Sequence, residues 1–404
     1  MRKNEINILP SRRKFISKAG TGLAALAMAP GTAMSTGQKK EQAREESSRI
    51  WTPVSDRKVR VGLVGYGVSR FSAAFGFQDH PNVEIVAVSD LFPDRCAELA
   101  KRVGCNKTYP SLEELVQDDQ IEAVFVATDA PSHPRHCIEV LNHGKHVAVA
   151  VPATYGSIEE GEKLLEVVKK NRGLNFMMFE TSCFRADLYA MRQIYHAGGF
   201  GEIVYSEGEY YHGPPLDVQG YKGIGSYKDW RQGGPPQWYP THNNAYHIGV
   251  TDGTFTEVSC YGVKRDPDAP HQKNRYNNPF TTEIALFRTS EGGTSRQARS
   301  SGTPGTPSET GRVRGTKGSF HGKYEGRATE LPDLERPVLP PGVPAGGHGG
   351  SHGPLMNEFI LSILEERNPV VDIIAALNMT IPGIVAHESA MKDGELMKVP
   401  QYKW

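Results

Sequence analysis

Two segments contain histidines that could exchange protons with a ligand. In Tyr239-Pro240-Thr241-His242 a phenol and an imidazole stand close together in the chain. An imidazole can take a proton from an alcohol, and a nearby phenol can share or relay that proton. The proline and the asparagines after His242 predict a turn, in which the imidazole could also serve as a cap. We predict His242 and Tyr239 as catalytic residues.

The second segment is His348-Gly349-Gly350-Ser351-His352. The histidine spacing would suit two metal ligands on a helix, but paired glycines disfavour a rigid helix and the sequence offers no third ligand. We therefore expect no metal site and predict His348 as a contact to a substrate.

A glycine turn between a strand and a helix indicates a dinucleotide site. The apolar run Val59 to Val64 ends at Gly65-Tyr66-Gly67 and is followed by Val68, and Phe71 to Phe77 has helical periodicity. Gly65 permits the tight turn, and Gly67 lets the backbone approach a pyrophosphate at the start of the helix. The third glycine of the usual fingerprint is replaced by Arg70.

An acid follows the next apolar run at a suitable distance. Asp90 comes about 25 residues after Gly65, near the position where such folds place a carboxylate that accepts hydrogen bonds from the adenosine ribose. Its charge would repel a 2′-phosphate, so NAD is predicted over NADP, with Arg95 leaving NADP as the alternative.

Strands and helices alternate as far as Ala197, which is typical of a doubly wound parallel sheet. Thr128 follows the end of a strand, where such sheets place ligand contacts. The predicted strands are Val59 to Val64, Val83 to Val88, Ala123 to Ala127, His146 to Val149 and Asn175 to Phe179, and the predicted helices are Phe71 to Phe77, Pro93 to Val103, Ser111 to Val116, Pro134 to Asn142, Ile158 to Lys170 and Leu188 to Ala197.

From Gly201 the pattern changes to strands with broad turns. Helical periodicity is almost absent until a last predicted helix at Leu355 to Leu364. The intervening strands predict a second, sheet-rich domain.

Several landmarks together resemble the Gfo/Idh/MocA family of NAD(P)-dependent oxidoreductases. They are the glycine turn, Asp90, the stretch from Ala127 through Thr128 to His133, the Gly144-Lys145-His146-Val147 turn and Pro152. The resemblance implies an α/β Rossmann domain with a doubly wound parallel sheet, predicted at residues 58–152. It also implies an α+β domain with an open-faced sheet and a C-terminal helix, predicted at residues 153–404.

The resemblance also implies site residues and a substrate. Val68, Thr128, His133 and Pro152 join Gly65, Gly67 and Asp90 as predicted contacts to NAD, and a sugar is expected between the sheet and the nicotinamide. Hydride transfer at a sugar carbinol is the implied reaction, and a homo-oligomer is the implied assembly. The usual Glu-Lys-Pro motif, whose lysine contacts the reacting hydroxyl, appears here as Ala150-Val151-Pro152.

The tetrad at Tyr239 to His242 is similar to that of a family branch that contains NAD-dependent N-acetylgalactosaminidases. In that branch the tyrosine and the histidine belong to the active site, while a glutamate and a tyrosine of the branch are replaced here by Ala150 and Phe184. A glycosidase that works by oxidation and elimination is therefore an alternative to net oxidation, and an inactive sugar-binding protein is a third hypothesis.

Three further residues are predicted to contact the substrate. Tyr211 and Trp238 lie in or beside an aromatic, glycine-rich and proline-rich excursion, and apolar sugar faces stack on aromatic rings. Glu180 ends a strand rich in methionine and phenylalanine and is expected to face the cofactor cleft.

The first residues predict export. Residues 1–35 contain six Lys or Arg side chains and one Glu, with Arg12-Arg13 before a weakly apolar stretch, which is typical of a twin-arginine signal peptide. Residues 36–57 are a predicted linker. We expect a periplasmic or extracytoplasmic soluble protein that engages the twin-arginine machinery. With 46 basic and 46 acidic side chains overall, the chain is not expected to bind nucleic acid.

Overall fold

The structure is a computed structural model, and it describes residues 50–404 apart from 68, 213–229, 232, 265–273, 302 and 304–305. The predicted signal peptide, most of the predicted linker and Val68 lie outside the described residues. Among the described residues, no helix has both the length and the apolar character that a membrane crossing requires.

The first part of the described chain forms a parallel sheet of six strands in the order β3-β2-β1-β4-β5-β6. Its strands are β1 (Val59–Val64), β2 (Val83–Ser89), β3 (Thr108–Tyr109), β4 (Ala123–Val126), β5 (His146–Ala150) and β6 (Phe176–Phe179). Nearly every residue of β1, β4, β5 and β6 is buried, as expected for parallel strands covered on both faces. The predicted doubly wound Rossmann domain is confirmed.

Five helices connect these strands: α1 (Phe71–Ala74), α2 (Pro93–Val103), α3 (Leu112–Leu115), α4 (His133–Asn142) and α5 (Ile158–Lys170). The first is shorter than the predicted helix because Gly76 adopts a φ of 81° and interrupts it. A 3₁₀ turn at Phe77–Asp79 follows, and another, Ala130–Ser132, precedes α4.

The first sheet continues past the predicted domain boundary at residue 152. Strand β6 pairs with β5 through Val147 and Phe176, and all four of its residues are buried. Residues 153–179 thus supply a helix and a strand to the Rossmann layer, and the boundary between the two sheets lies after Phe179.

The second part contains a mixed sheet of eight strands in the order β13-β12-β11-β7-β10-β9-β8-β14. Its strands are β7 (Ile203–Tyr211), β8 (Phe255–Lys264), β9 (Phe280–Thr289), β10 (Thr294–Ser300), β11 (Ser308–Gly315), β12 (Gly318–Phe320), β13 (Tyr324–Gly326) and β14 (Met397–Lys398). Strands β7 and β10 run parallel, and the other neighbours are antiparallel. This confirms the predicted α+β class of the second domain.

In the part of the chain that the structure describes, the helices beside this sheet include α6 (Ala186–His196), α7 (Thr241–Thr251), α8 (His352–Leu364) and α9 (Ile373–Met391). Two 3₁₀ turns, Thr181–Phe184 and Pro236–Trp238, precede α6 and α7. A short turn at Gly347–Gly350, with His348 and Gly349 at positive φ, precedes α8. Helices α7 and α9 cover one face of the sheet, whereas Tyr261, Val263 and Leu286 are exposed on its strands.

The predicted helix at Leu355 to Leu364 is confirmed as part of α8. The prediction that helices are almost absent before it is wrong because of α7, and α8 is not the last helix because α9 follows. Every residue of α7 is buried, including His242, and nearly every residue of α9 is buried. Helices buried on all sides lack the one-sided apolar stripe from which a helix is recognised in a sequence. His242 therefore lies in the first turn of a helix rather than in a turn between elements.

Helix α8 returns to the first sheet and connects the two parts of the molecule. Phe359 packs on Phe179 of β6 with ring centres 5.9 Å apart, and Phe75 and Phe125 pack on the same ring. Because His348 and His352 lie directly before or within the start of α8, this packing places them beside the Rossmann domain.

Candidate active site

The glycine turn after β1 forms a cradle that only glycine fits. Gly65 has a φ of 91°, and a Cβ on it would lie 2.5 Å from the carbonyl oxygen of Ala127 at the end of β4. Its amide donates a 2.8 Å hydrogen bond to the Ser89 carbonyl of β2. The turn thus lies at the carboxyl ends of β1, β2 and β4, where the strand order reverses and where such sheets bind dinucleotides.

Asp90 is fixed beside this turn. Its Oδ2 accepts a 2.6 Å hydrogen bond from the Tyr66 amide, and its Oδ1 accepts a 2.8 Å bond from the Phe92 amide. A carboxylate offers about four lone-pair sites, so each oxygen keeps capacity for a ribose hydroxyl. The position of Asp90 therefore agrees with its predicted role.

His133 connects the two loops that border the turn. Its Nδ1 lies 2.8 Å from the Pro152 carbonyl and its Nε2 lies 3.3 Å from the Thr128 carbonyl. Burial lowers the pKa of His133 despite these acceptors, so the ring is neutral and donates from Nδ1. Thr128 also places its hydroxyl 2.8 Å from Nδ1 of His136. These contacts stabilise the loops that follow β4 and β5.

A groove runs along these loops. Its lining residues are Gly67, Ser69, Arg70, Phe71, Ala127, Thr128, Ala130, His133, Ala150, Val151, Trp230, Arg231 and Tyr239. Arg70, at the position of the third glycine, adopts a φ of 49° and forms a 2.9 Å ion pair with Glu98 on α2.

The groove continues into a cavity of about 450 Å³ between the two sheets. Its lining residues are Ser69, Phe71, Phe75, Ala150, Val151, Phe179, Thr181, Tyr210, His212, Arg231, Tyr239, His242, Gly347, His348 and His352. Ser69, Phe71, Ala150, Val151, Arg231 and Tyr239 line both spaces. A ligand in the cavity would therefore adjoin a ligand in the groove.

His242 enters the cavity wall with a buried carboxylate behind it. Its Nδ1 donates a 2.7 Å hydrogen bond to Oε1 of Glu180, which has no exposed surface. The same Oε1 accepts a 2.8 Å hydrogen bond from the Ser182 amide. Because Nδ1 is occupied, Nε2 is the nitrogen of His242 that can exchange a proton with a ligand.

The charges of this pair stabilise each other. Burial alone would lower the pKa of His242, but the Glu180 carboxylate outweighs it and the pKa is raised. Burial would likewise raise the pKa of Glu180, but His242 and the Ser182 amide lower it. A raised pKa makes Nε2 a stronger proton acceptor, the arrangement expected of a general base oriented by a carboxylate.

Two tyrosines and a buried arginine lie next to His242. The ring centres of Tyr210 and Tyr239 lie 4.5 and 5.6 Å from that of His242. The Arg299 guanidinium lies 4.6 Å from the Tyr210 ring centre and 5.9 Å from that of Tyr239. Burial raises the pKa of Tyr239, although Arg231 and Arg299 oppose the shift. The phenol is therefore neutral and can donate a hydrogen bond to a ligand.

Residues 59–179 match the family model described as the oxidoreductase family, NAD-binding Rossmann fold. The model is that of the Gfo/Idh/MocA family, so this segment of the chain is similar to the NAD-binding domain of that family. The predicted family and its cofactor, NAD, are confirmed for the Rossmann domain.

Curated relatives extend the comparison to the remainder of the chain. A glycosyl hydrolase family 109 protein of Saccharopolyspora erythraea is 23% identical over 430 residues, covering 97% of this chain and 92% of that protein. One of Porphyromonas gingivalis is 28% identical over 163 residues, covering 38% of this chain and 34% of that protein. The chain therefore spans about a third of the length of several curated relatives that it matches.

Solved structures share the fold of this chain. Levoglucosan dehydrogenase in complex with NADH has a TM-score of 0.70 at 17% identity, covering 86% of this chain and 100% of that one. Scyllo-inositol dehydrogenase from Lactobacillus casei, with bound NAD(H) and scyllo-inositol, has a TM-score of 0.65 at 18% identity, covering 85% and 99%. At these identities the likeness supports the two-domain architecture alone.

The residues of the groove fit a dinucleotide. A side chain at Gly65 would fill the cradle between β1 and β4, and Asp90 lies at its border. Gly67, Thr128 and His133, which are predicted to contact NAD, line the groove, whereas Pro152 contributes a carbonyl that holds His133.

Of the four residues predicted to contact the substrate, only one lines the cavity. His348 lines the cavity with His242 and Tyr239. Glu180 does not face the cleft but lies behind His242. Tyr211 follows Tyr210 on β7, and successive strand residues point to opposite faces, so the cavity receives Tyr210 instead. Trp238 packs edge-on against Tyr155 and Tyr276, 5.4 and 5.3 Å away, outside the cavity lining.

Two charged residues of the site were not predicted. Arg231 lines both the groove and the cavity, and Arg299 lies buried over the two tyrosine rings. Nothing in the local sequence of β10 distinguishes Arg299, whereas Arg231 follows Trp230 in the excursion already selected for its aromatic residues. Among the described residues, no group of three or more His, Cys, Asp or Glu side chains could hold a metal ion.

Proposed function

We propose that this protein is an NAD-dependent oxidoreductase that acts on a sugar or glycoside. The observation that supports this best is the continuity of the groove with the cavity, with the His242–Glu180 pair in the cavity wall. A substrate alcohol in the cavity would lie within reach of both a proton acceptor and the cofactor.

The chain's own residues would bind the cofactor and move the proton. Gly65 and Gly67 admit the pyrophosphate, and Asp90 accepts the ribose hydroxyls. When bound, NAD supplies a hydride acceptor that can later return the hydride. The His242 Nε2 takes the hydroxyl proton of the substrate, and Glu180 stabilises the imidazolium that forms. Tyr239 donates a hydrogen bond to the same oxygen or relays its proton.

We further propose a redox-neutral reaction, the cleavage of a glycosidic bond. Oxidation of a ring hydroxyl to a ketone would acidify the neighbouring C–H bond, and loss of that proton would expel the glycosidic leaving group. Water would then add to the resulting double bond, and return of the hydride to the ketone would restore the hydroxyl. The similarity to glycosyl hydrolase family 109 proteins over 97% of the chain favours this form over net oxidation. So does the predicted twin-arginine export, because a periplasmic enzyme that accumulated NADH would have little free NAD with which to replace it.

An inactive sugar-binding protein is the alternative. Ala150 and Val151 stand where the family usually has a glutamate and a lysine, and both line the groove and the cavity. A protein of this kind would bind a sugar without turnover.

The first experiment examines the purified protein for a retained nicotinamide dinucleotide, by mass spectrometry and absorbance of the supernatants from acid denaturation, which preserves NAD, and from alkaline denaturation, which preserves its reduced form. We expect near-stoichiometric NAD and its reduced form together. An empty groove that also fails to bind added NAD would contradict the proposal.

The second experiment incubates the protein with p-nitrophenyl α- and β-glycosides of galactose, glucose and N-acetylgalactosamine. We expect release that requires bound NAD and that falls about 10²- to 10⁴-fold in His242→Gln. His242→Gln leaves the Glu180 carboxylate buried without its partner and could fold poorly for that reason, so Tyr239→Phe serves as a second variant. His321→Ala, which changes an exposed histidine, is the control. Release without NAD, or unchanged in His242→Gln, would contradict the proposed mechanism.

Export and assembly complete the proposal. We infer that the twin-arginine machinery exports the protein and that a second copy covers the sheet face exposing Tyr261, Val263 and Leu286. Cell fractionation of wild type and Arg12→Lys/Arg13→Lys, and light scattering of wild type and Leu286→Asp, test these two inferences.

A further inference from the structure

Beside His242 the cavity contains two histidines that are hydrogen-bonded to each other, and the ring centres of His242 and His348 lie 6.1 Å apart. Nδ1 of His348 lies 2.9 Å from Nε2 of His352, and Nδ1 of His352 lies 3.1 Å from the carbonyl oxygen of Ala74. Both rings line the cavity, His352 being buried and His348 half-buried.

These contacts determine which nitrogens hold protons. A carbonyl oxygen only accepts, so Nδ1 of His352 must be the donor to Ala74. In a neutral His352 the other nitrogen, Nε2, then has no proton and accepts a hydrogen bond. His348 must donate that bond from Nδ1. In a neutral His348 this leaves Nε2 as an unprotonated acceptor.

The surroundings keep both rings neutral. The His352 ring packs on Phe75 with ring centres 4.5 Å apart, and Phe71 lies 6.1 Å from each imidazole. Burial, together with His242 and His352, lowers the pKa of His348 to about 4, with Arg185 acting in the same direction and Glu180 opposing it. Burial also lowers the pKa of His352, and this effect outweighs the hydrogen bond to the Ala74 carbonyl, which raises the pKa.

We propose that His348 selects a hydroxyl group on the ligand by accepting its hydrogen bond at Nε2, and that His352 is the positioning residue that fixes this tautomer. The inference rests on the proposed function, in which the ligand is a sugar or glycoside. His348 then differs in its role from His242. The His242 imidazole exchanges a proton with the substrate, whereas the His348 imidazole stays neutral and accepts a hydrogen bond from a ligand hydroxyl.

A specificity for hydroxyl donors follows. A site that accepts a hydrogen bond from a substrate hydroxyl rejects the analogue that lacks it, because the partner is left unsatisfied in the complex. We expect one particular monodeoxy or deoxyfluoro analogue to bind about 10- to 100-fold more weakly than its parent glycoside.

The tautomer is tested without a ligand. In protein labelled with ¹⁵N-histidine, long-range ¹H–¹⁵N spectra distinguish protonated from unprotonated ring nitrogens, and His348→Phe and His352→Phe assign the two rings. We expect both rings to be neutral with Nδ1 protonated from pH 6 to 8. A ring of His348 protonated at Nε2 in this range would overturn the proposal, whatever the outcome for catalysis.

A second experiment measures the affinity of wild type and variants for a ligand. The ligands are the p-nitrophenyl glycoside that binds wild type most tightly and its monodeoxy analogues. In His348→Phe we expect the parent glycoside to lose about 10-fold or more in affinity and one analogue to lose none. His352→Phe should produce a smaller loss, with KM changed more than kcat, and His321→Ala should change nothing.

Equal losses for every analogue would overturn the role of His348 while leaving the proposed function intact. Failure of wild type to bind any of the glycosides would overturn both.

Discussion

Replacing Glu180 by glutamine should lower the stability of the folded protein by an amount that depends on pH. The carboxylate has no exposed surface and lies 2.7 Å from His242. Opposite charges about 4 Å apart attract by about 4 kcal/mol at an effective dielectric constant near 20, and removing one partner of a buried pair costs about 3–5 kcal/mol. Glutamine keeps an acceptor for the imidazole, so we expect a loss of about 3 kcal/mol.

The pH dependence follows from the directions of the two pKa shifts. The pKa of Glu180 is lowered from 4.5, so its contribution is complete above pH 4.5 and is lost as pH falls through the folded-state value. The pKa of His242 is raised from 6.5, so its contribution is complete below pH 6.5 and is lost as pH rises through the folded-state value. The difference between wild type and Glu180→Gln should therefore be largest between pH 4.5 and 6.5.

Thermal unfolding from pH 4 to pH 9 measures this difference. With an unfolding entropy of about 2.1 cal/mol/K per residue, a loss of about 3 kcal/mol in a chain of 404 residues lowers Tm by about 4 °C near the maximum. Glu113→Gln, which removes an exposed ion pair with Arg135, is the control and should cost less than about 1 kcal/mol. A Tm difference that is constant with pH, or largest above pH 8, would refute the assignment of the pair.

Three further changes test other parts of the structure. Gly65→Ala places a Cβ 2.5 Å from the Ala127 carbonyl at a φ of 91°, so the purified variant should retain much less NAD by mass spectrometry; full retention would contradict the position of the cradle. Trp238→Leu should lower the free energy of unfolding by about 3 kcal/mol without raising KM, because the Trp238 ring packs outside the cavity. A raised KM in a variant that still folds would support the predicted contact of Trp238 with the substrate. Glu283→Gln should lower kcat by up to about 10²-fold. This buried carboxylate accepts a 2.7 Å hydrogen bond from the backbone amide of Gln237 and so holds the turn before Tyr239. Unchanged kinetics in the variant would show that the turn is held without this carboxylate.

The Rossmann domain was largely predictable because its signals are local. Helices α2 and α5 have the predicted bounds, since each buries one apolar stripe and has a distinct start, at Pro93 or at the Ser157 cap. Gly65 was predictable for the same reason, because its conformation is imposed by the turn of which it is part.

The proton-handling pair was not predictable as a pair. Glu180 and His242 are 62 residues apart in the chain and come from different elements, the end of β6 and the first turn of α7. Helix α7 is buried on every side and has no exposed face, so the sequence predicted a turn at His242. Glu180 was expected to face the cofactor cleft rather than to lie behind the imidazole. The residue types indicated their chemistry, but only the packing of α7 against the turn at Thr181–Phe184 brings them together.

The buried pair also distinguishes an enzyme from a sugar-binding protein. Ala150 and Val151 form an apolar part of the wall shared by groove and cavity, so no side chain there can hold a proton in place of the usual lysine. A buried ion pair is often no more stabilising than well-packed apolar residues, and binding a neutral sugar does not require one. An imidazole at the cavity wall whose basicity is raised by a buried carboxylate is instead what proton transfer requires. Loss of turnover in His242→Gln with NAD retained would therefore support catalysis by the His242–Glu180 pair without the missing lysine.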